Sequence, residues 1–393
     1  MQNSHGIALC CTTHAMGGIE LNVRRLARWL NARGHHCVIV AAQDSPLHHG
    51  AAADGTDCLA IPARSRYTVF GDARLLARRF HDTGIDTLIL NANRDLLLGV
   101  LAKRRSRNAL RLLQIQHMQI GRPKRDAIHR WQHRQLDAWL APLPTLAAQT
   151  QRLTAVPPDR IHLVPLGIEL APLLAAPTRS AARAALHLPS EAFIAGVIGR
   201  LDRGKGQEYL LRAVARLRAD GHDIHVLLVG EETRGERQGY ARELALLAES
   251  LRLTNHVHFR GFVADVPTAY AALDVFTLTS LSETYGMVTI EAMAAGCPVI
   301  ATDSGGTPDL LTLGQEAPAM GPRTGSNGTV GQALLVPPGD ADALERALLR
   351  FMTERGLAET LRENGRRHAL RHFSHDTQCA AIEELLDSLP RAH

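Results

Sequence analysis

One local pattern runs through this chain and then begins again. Short apolar runs alternate with amphipathic stretches of helical period, and the alternation restarts at Phe193. In the first half, the runs at 7–11, 37–42, 87–92, 111–116, 138–142 and 162–165 are mainly apolar and read as short buried strands. Continuous apolar character marks strands covered on both faces, as in parallel sheets. A second series starts at 193 and continues near 226–230, 257–260, 275–279 and 298–302. Stretches such as 20–32, 74–81 and 208–219 have the spacing of helices with one buried face. Strands separated by helices return parallel, so the expected fold is α/β, with two Rossmann-like, doubly wound parallel sheets facing across a cleft.

Length agrees with two such units. A chain of 393 residues, 45% of them hydrophobic, exceeds one ordinary domain and can fill two cores. The linker is expected in Leu170-Ala-Pro-Leu-Leu-Ala-Ala-Pro-Thr178. This divides the chain into 1–170 and 171–393, with a C-terminal helix at about 375–390 packing back on the first domain. Segment 314–331, rich in Gly, Pro and Ser, reads as a surface loop.

Two segments carry chemistry. Phe193-Ile-Ala-Gly-Val-Ile-Gly-Arg200-Leu-Asp-Arg-Gly-Lys205-Gly is a strand entering a glycine-rich turn before a helix. Arg200 and Lys205 flank that turn, beside the backbone donors of a helix start, which is phosphate-binding chemistry. Of 44 basic residues only Lys103, Lys124 and Lys205 are lysine, so a compact ammonium between two glycines stands out. The spacing differs from the Gly-x-x-x-x-Gly-Lys-Ser/Thr of ATPase loops. The second segment is Ser282-Glu283-Thr-Tyr285-Gly286-Met287-Val-Thr-Ile-Glu291-Ala-Met-Ala. Glu283 falls at a loop-to-helix junction, and Glu291 lies among Met287, Ile290, Met293 and Ala294. A carboxylate on an apolar face needs a partner. Gly286 leaves the first-turn amides open to a phosphate. Taken alone, the segment is equally well a capping Glu283 with Glu291 paired to a basic side chain.

Together these segments resemble the GT4-type family of retaining glycosyltransferases, which have the GT-B fold. The resemblance also rests on Gly17-Gly18-Ile-Glu20, on His117 after an inner strand, on Val164-Pro-Leu-Gly-Ile-Glu169 and on Gly305-Gly306-Thr-Pro-Asp309. Order and spacing hold through nearly the whole chain. The resemblance implies a nucleotide-diphosphate sugar as donor, with a UDP-sugar ranked ahead of GDP- and ADP-sugars, and a glycan or lipid-linked acceptor in cell-envelope assembly. It implies that Arg200 and Lys205 neutralise the donor diphosphate and that Glu283 lies under the donor sugar. The amides of Tyr285, Gly286 and Met287 would face phosphate and sugar, and Glu291 would hold the ribose hydroxyls. Gly17 and Gly18 would close over the diphosphate, and His117 would bond a sugar hydroxyl. Neither a cofactor nor a metal is expected, because basic side chains take the metal's place. Tyr285 stands where Phe is commoner, Asp309 where Glu is commoner, and Met118-Gln119 follows His117 in place of a small or acidic residue.

Competing readings keep the fold and change the chemistry. A sugar-nucleotide epimerase needs other acid–base residues. A phosphorylase needs a lysine for pyridoxal phosphate, and Lys205 is the only lysine of the second half. An inactive partner subunit has no use for an intact set of Arg200, Lys205, Glu283 and Glu291. His129 and His133 have the i,i+4 spacing of a ligand pair but lack a third ligand, and read as a solvated helix face.

Charge is divided unevenly. Through Glu169 there are 22 Lys+Arg against 12 Asp+Glu (+10), and beyond it 22 against 27 (−5). Clusters at Lys103-Arg-Arg-Ser-Arg107 and Arg122-Pro-Lys-Arg125 fit an anionic membrane surface or acceptor, or else ordinary solvated faces with Trp131 and Trp139 packed on the sheet. Nucleic acid is not expected, since no binding motif accompanies the charge. Cysteine spacing without CxxC, no signal-peptide pattern at the first residues and no long apolar run point to a cytoplasmic protein, peripheral at the inner membrane face.

Overall fold

The computed structural model describes residues 4–15, 17–62, 69–107, 109–232, 239–314 and 329–390. The chain forms two compact units, residues 1–167 with 375–393, and residues 168–374.

The first unit is a seven-stranded parallel sheet. Its strands are β1 (Gly6–Cys11), β2 (His36–Ala42), β3 (Cys58–Ile61), β4 (Thr87–Leu90), β5 (Arg111–Ile115), β6 (Ala138–Ala141) and β7 (Ile161–Leu163), in the order β3-β2-β1-β4-β5-β6-β7. β1 pairs in parallel with both β2 and β4, so the winding direction reverses between β1 and β4. Every residue of β4, β5 and β6 is buried. Side chains that face helices on both sides account for the unbroken apolar runs. Cys10, Cys11 and Cys37 are buried thiols within this sheet. β3 was not anticipated. It is a four-residue edge strand, three of whose residues are only half-buried, and it carries a weak apolar signal.

The helix His375–Ser388 belongs to this unit. Its Ile382, Leu385 and Leu386 are buried. Arg33 donates twice to Glu383, at 2.7 Å each, and His35 Nε2 lies 2.9 Å from the same carboxylate. The Arg33 guanidinium holds the Glu383 carboxyl below its usual range. Arg111 donates to the Leu386 carbonyl at 2.7 Å, and Gln378 accepts from the Gly167 amide at 2.8 Å.

The second unit repeats the plan. Strands β8 (Phe193–Ile198), β9 (Ile224–Val229), β10 (Val257–Arg260), β11 (Val275–Leu278), β12 (Val299–Thr302), β13 (Thr329–Val330) and β14 (Ala333–Val336) lie in the order β10-β9-β8-β11-β12-β14-β13. All neighbours are parallel except β13, which pairs antiparallel with β14. One core layer joins Val226, Leu228 and Val257 to Leu210, Val214 and Leu217 of the Gln207–Ala219 helix and to Leu344, Leu348 and Phe351. The reversal here falls between β8 and β11. The expected linker holds a short helix, Ala171–Leu174, and lies within this unit. Most of the expected surface loop, 315–328, lies outside the described residues.

A candidate donor site at the carboxyl ends of the second sheet

In an open parallel sheet the loops after two strands diverge where the winding reverses, and helix N-termini open onto the gap. Three such loops meet in the second unit. After β8 the chain turns through Arg203–Lys205, where Asp202 accepts from the Gly204 amide at 2.7 Å. Gly206 follows at φ +63°, and a Cβ there would lie 2.3 Å from the Thr279 carbonyl oxygen. Only glycine lets the β8 turn approach the β11 loop this closely. Contact is sealed by the Leu281 amide donating to the Gly204 carbonyl at 2.8 Å and the Thr279 hydroxyl donating to the Lys205 carbonyl at 2.7 Å. The β12 loop joins through Gly305, at φ +59°, whose missing Cβ would fall 1.9 Å from the Glu283 carbonyl oxygen. The Gly306 amide donates to that oxygen at 2.8 Å.

Lys205 and Glu283 are thereby brought together. The Lys205 ammonium donates to Glu283 Oε2 at 2.6 Å, with both side chains largely buried. The Ser280 hydroxyl donates to the same oxygen at 3.1 Å, and the Thr284 amide donates to the other at 3.2 Å. Arg200 stands further out, 55% exposed and 3.8 Å from Asp202. Gly286 precedes the Met287–Ala294 helix, and Tyr285 is buried edge-on against Phe373. Glu291 is half-buried on that helix, where the Tyr270 hydroxyl donates to its Oε2 at 3.2 Å and to the Val288 carbonyl at 2.9 Å. Asp309 lies in the first turn of the Thr307–Thr312 helix.

In the first unit the loops after β1, β4 and β5 converge in the same way. Gly17 caps the Gly18–Ala32 helix, and its amide donates to Glu20 Oε2 at 2.9 Å; the Thr13 hydroxyl donates to Oε1. Glu20 is 3% exposed, so its buried carboxylate holds Thr13 and Gly17 in place. His117 is half-buried, with Nε2 3.0 Å from Asn91 Oδ1. Asn91 Nδ2 faces the Cys10 and Ile89 carbonyls at 3.4 and 3.3 Å, which leaves Oδ1 as the acceptor. His117 therefore carries its proton on Nε2. Burial pushes its pKa down to about 4, so the ring is neutral at physiological pH. Asp95 is 3% exposed and accepts from the Thr12 amide at 2.9 Å and from the Thr12 hydroxyl; burial raises its pKa. Asn91, Asp95, Ser280 and Tyr270 were missed in the sequence. Position at the end of an apolar run could have marked Asn91 and Ser280, whereas nothing local marks Tyr270.

Three other expectations change. His133 is not on a solvated face: it is 1% exposed, accepts from the Ala155 amide at 3.2 Å and packs edge-on to Trp139. His129 pairs with Asp126. Lys103 is buried, with its ammonium 2.6 Å from Asp137, and Arg125 donates to the Thr154 and Gln151 carbonyls at 2.9 and 2.7 Å at the end of the Pro144–Leu153 helix. Part of the basic clusters is thus structural. Among the described residues no helix is long and apolar enough to cross a membrane.

Residues 178–368 match the family model described as glycosyl transferases group 1, and residues 16–171 match glycosyltransferase family 4. The chain is 31% identical over 239 residues to a D-inositol 3-phosphate glycosyltransferase of Salinispora arenicola, a match covering 58% of this chain and 49% of that protein. It is 26% identical over 297 residues to the lipopolysaccharide core biosynthesis mannosyltransferase LpcC of Rhizobium leguminosarum bv. viciae, covering 76% of each. In most such curated relatives the chain spans about half of the relative's length. The crystal structure of Anabaena Alr3699/HepE in complex with UDP shares the fold, with a TM-score of 0.80 over 98% of this chain and 100% of that one at 22% identity.

Proposed function

This chain belongs to the GT4-type glycosyltransferase family, and from that premise we propose that it moves a sugar from a nucleotide-diphosphate donor to a glycan or lipid-linked acceptor of the cell envelope. The observation that carries the reading is the Lys205–Glu283 contact at 2.6 Å, placed where the β8 and β11 loops meet at the start of the helix bearing Glu291. Cation, helix N-terminus and two carboxylates are the groups needed for a diphosphate, a sugar and a ribose. A diphosphate competes with Glu283 for the Lys205 ammonium, and Glu283 so released is available to the sugar hydroxyls. Negative charge grows on the leaving diphosphate as the glycosidic bond breaks, so a fixed cation helps the transition state more than the ground state.

The finer assignments follow the family resemblance. Transfer proceeds with retention, and the leaving phosphate helps to deprotonate the acceptor. Arg200 and Lys205 supply the positive charge without a divalent metal. His117, neutral and with Nδ1 taking no bond from the described residues, is assigned to a donor-sugar hydroxyl. A UDP-sugar is favoured, in line with the UDP named for the Anabaena structure. An envelope acceptor is favoured, in line with the lipopolysaccharide role named for the Rhizobium relative. The enzyme is placed in the cytoplasm, at the inner face of the membrane.

A screen of UDP-, GDP- and ADP-sugars by thermal stabilisation, with EDTA present, tests the reading. A ligand at about 100 times its dissociation constant adds about 2.7 kcal/mol. Stabilisation by one nucleotide class, followed by metal-free transfer or slow hydrolysis of that donor, is the expected result. Failure of every nucleotide sugar to stabilise the protein would sink the proposal.

A further inference from the structure

The Met287–Ala294 helix has a second end, and a different cavity lies against it. A cavity of about 270 Å³ is bounded by Arg179, Arg362 and Arg366, by Tyr270, and by Gly296 and Cys297 at the helix's carboxyl end. Eight residues of helix separate this place from the amino end where Glu283 and Lys205 meet, roughly 12 Å at 1.5 Å per residue.

The charge around the cavity is unbalanced. Arg179 contacts Asp274 at 2.7 Å, but Arg183 shares that carboxylate at 2.6 Å. Arg362 meets Glu359 at 3.0 Å through Nη1, and its buried Nε has no acceptor. Arg366 is exposed and makes no hydrogen bond or ion pair with the described residues. Three guanidiniums thus share two carboxylates, and the fourth, Arg366, has none among the described residues. Stabilising the end of the Met287–Ala294 helix does not account for Arg362 and Arg366. The carbonyls of Glu291, Met293 and Ala292 are already taken by the amides of Ala295, Gly296 and Cys297, and neither arginine donates to them. Gly296, at φ +74°, instead lets both arginine stems lie close, with Arg362 Cγ 3.7 Å and Arg366 Cδ 4.0 Å from where a Cβ would be.

Guanidinium forks match the paired oxygens of a phosphate group in geometry and charge. We propose that the Arg179–Arg362–Arg366 cavity binds a phosphate-class dianion, at a site separate from the nucleotide-sugar site. A free phosphate ester and a phosphomonoester lipid headgroup present the same chemistry, and either fits.

The test titrates inorganic phosphate into the full chain by calorimetry at constant ionic strength, in the wild type, Lys205→Ala, Arg366→Gln and Arg362→Gln. Binding is expected to persist in Lys205→Ala and to weaken about tenfold or more in each arginine variant, the scale for losing one bond to a charged group. Arg366→Gln removes an exposed side chain without a described partner, so it keeps the test decisive if Arg362→Gln fails to fold. Vesicles containing phosphatidic acid, against phosphatidylglycerol alone, separate the two sources. Arg366-dependent binding to phosphatidic acid assigns the site to a headgroup, and phosphate binding without it assigns the site to a free ester. Absence of phosphate binding in the wild type, or binding lost in Lys205→Ala and kept in Arg366→Gln, overturns the proposal.

Discussion

Lys205 and Glu283 hold each other at 2.6 Å in a largely buried pocket, so neither can be removed without exposing the charge of the other. That asymmetry sharpens what substitution should do. Lys205→Ala removes a preorganised cation and is expected to lower turnover by about 10²–10³ at saturating donor. Arg200→Ala is expected to do the same, although Arg200 is 55% exposed. Near-normal turnover of either variant strikes that residue from the machinery. The two glutamates should separate. Glu291→Ala leaves the Tyr270 hydroxyl its bond to the Val288 carbonyl, at 2.9 Å, so the fold is spared and the loss is expected in nucleotide binding. Glu283→Ala releases the Lys205 ammonium, so free nucleoside diphosphate should bind at least as well while turnover of the intact donor falls. Calorimetry with the free diphosphate checks both; unchanged affinity in Glu291→Ala contradicts the ribose assignment.

At the scale of elements, the candidate donor site depends on turns more than on helices. Gly206 sits at φ +63° against the Thr279 carbonyl, so Gly206→Ala combines a left-handed backbone with a 2.3 Å clash. It is expected to cost at least about 2 kcal/mol, read as a lowered urea midpoint. A midpoint equal to the wild type's would mean that the turn can relax away from β11. The Ala127–His133 helix poses a different question. Ile128 is 66% exposed, Arg104 lies over the Trp131 ring at 5.9 Å, and Arg105 and Arg122 are exposed. Lys103 and Arg125 already have structural partners and Lys124 is half-buried, so the membrane reading now rests on Arg104, Arg105, Arg107 and Arg122. Each basic side chain near an anionic leaflet contributes about 1 kcal/mol, screened over roughly 8 Å at physiological salt. Binding to anionic vesicles is expected at low salt, to fade as salt rises, and to vanish when these four arginines are changed to glutamate. No binding at low salt would leave them as solvated surface.

For the molecule as a whole, the C-terminal helix is the long-range commitment. Ending the chain after Ser374 removes buried Ile382, Leu385 and Leu386, about 5–9 kcal/mol of apolar burial against a total stability of about 5–15 kcal/mol for an ordinary domain. It also strips Arg33 and His35 of Glu383. The truncated first unit is expected to be unfolded or aggregated, with the second unit still cooperative; two intact melting transitions would refute this. Because Arg33 depresses the Glu383 pKa, the stabilisation is complete above the ordinary carboxylate range and is lost as pH falls through the lowered value.

What the sequence determined alone is local in origin. Apolar runs wrote out most strands, since burial on both faces leaves a continuous signal. β3 escaped because it is an edge strand with three of its four residues only half-buried, and β13 and β14 escaped as well. Glycine spacing picked out the turns that carry Lys205 and Glu283, because a left-handed or crowded backbone excludes other residues, and the family resemblance marked the turn at Gly305. Tertiary structure alone decided who meets whom. Tyr270, twenty-one positions before Glu291, supplies its hydroxyl partner; Asn91 orients His117; Asp137 takes Lys103 out of the basic surface. His133 entered the core on the same terms, through contact with Trp139. Such pairings depend on which helix faces and loop ends the winding of the sheet brings within hydrogen-bonding reach. Periodicity and spacing along the chain do not encode that distance.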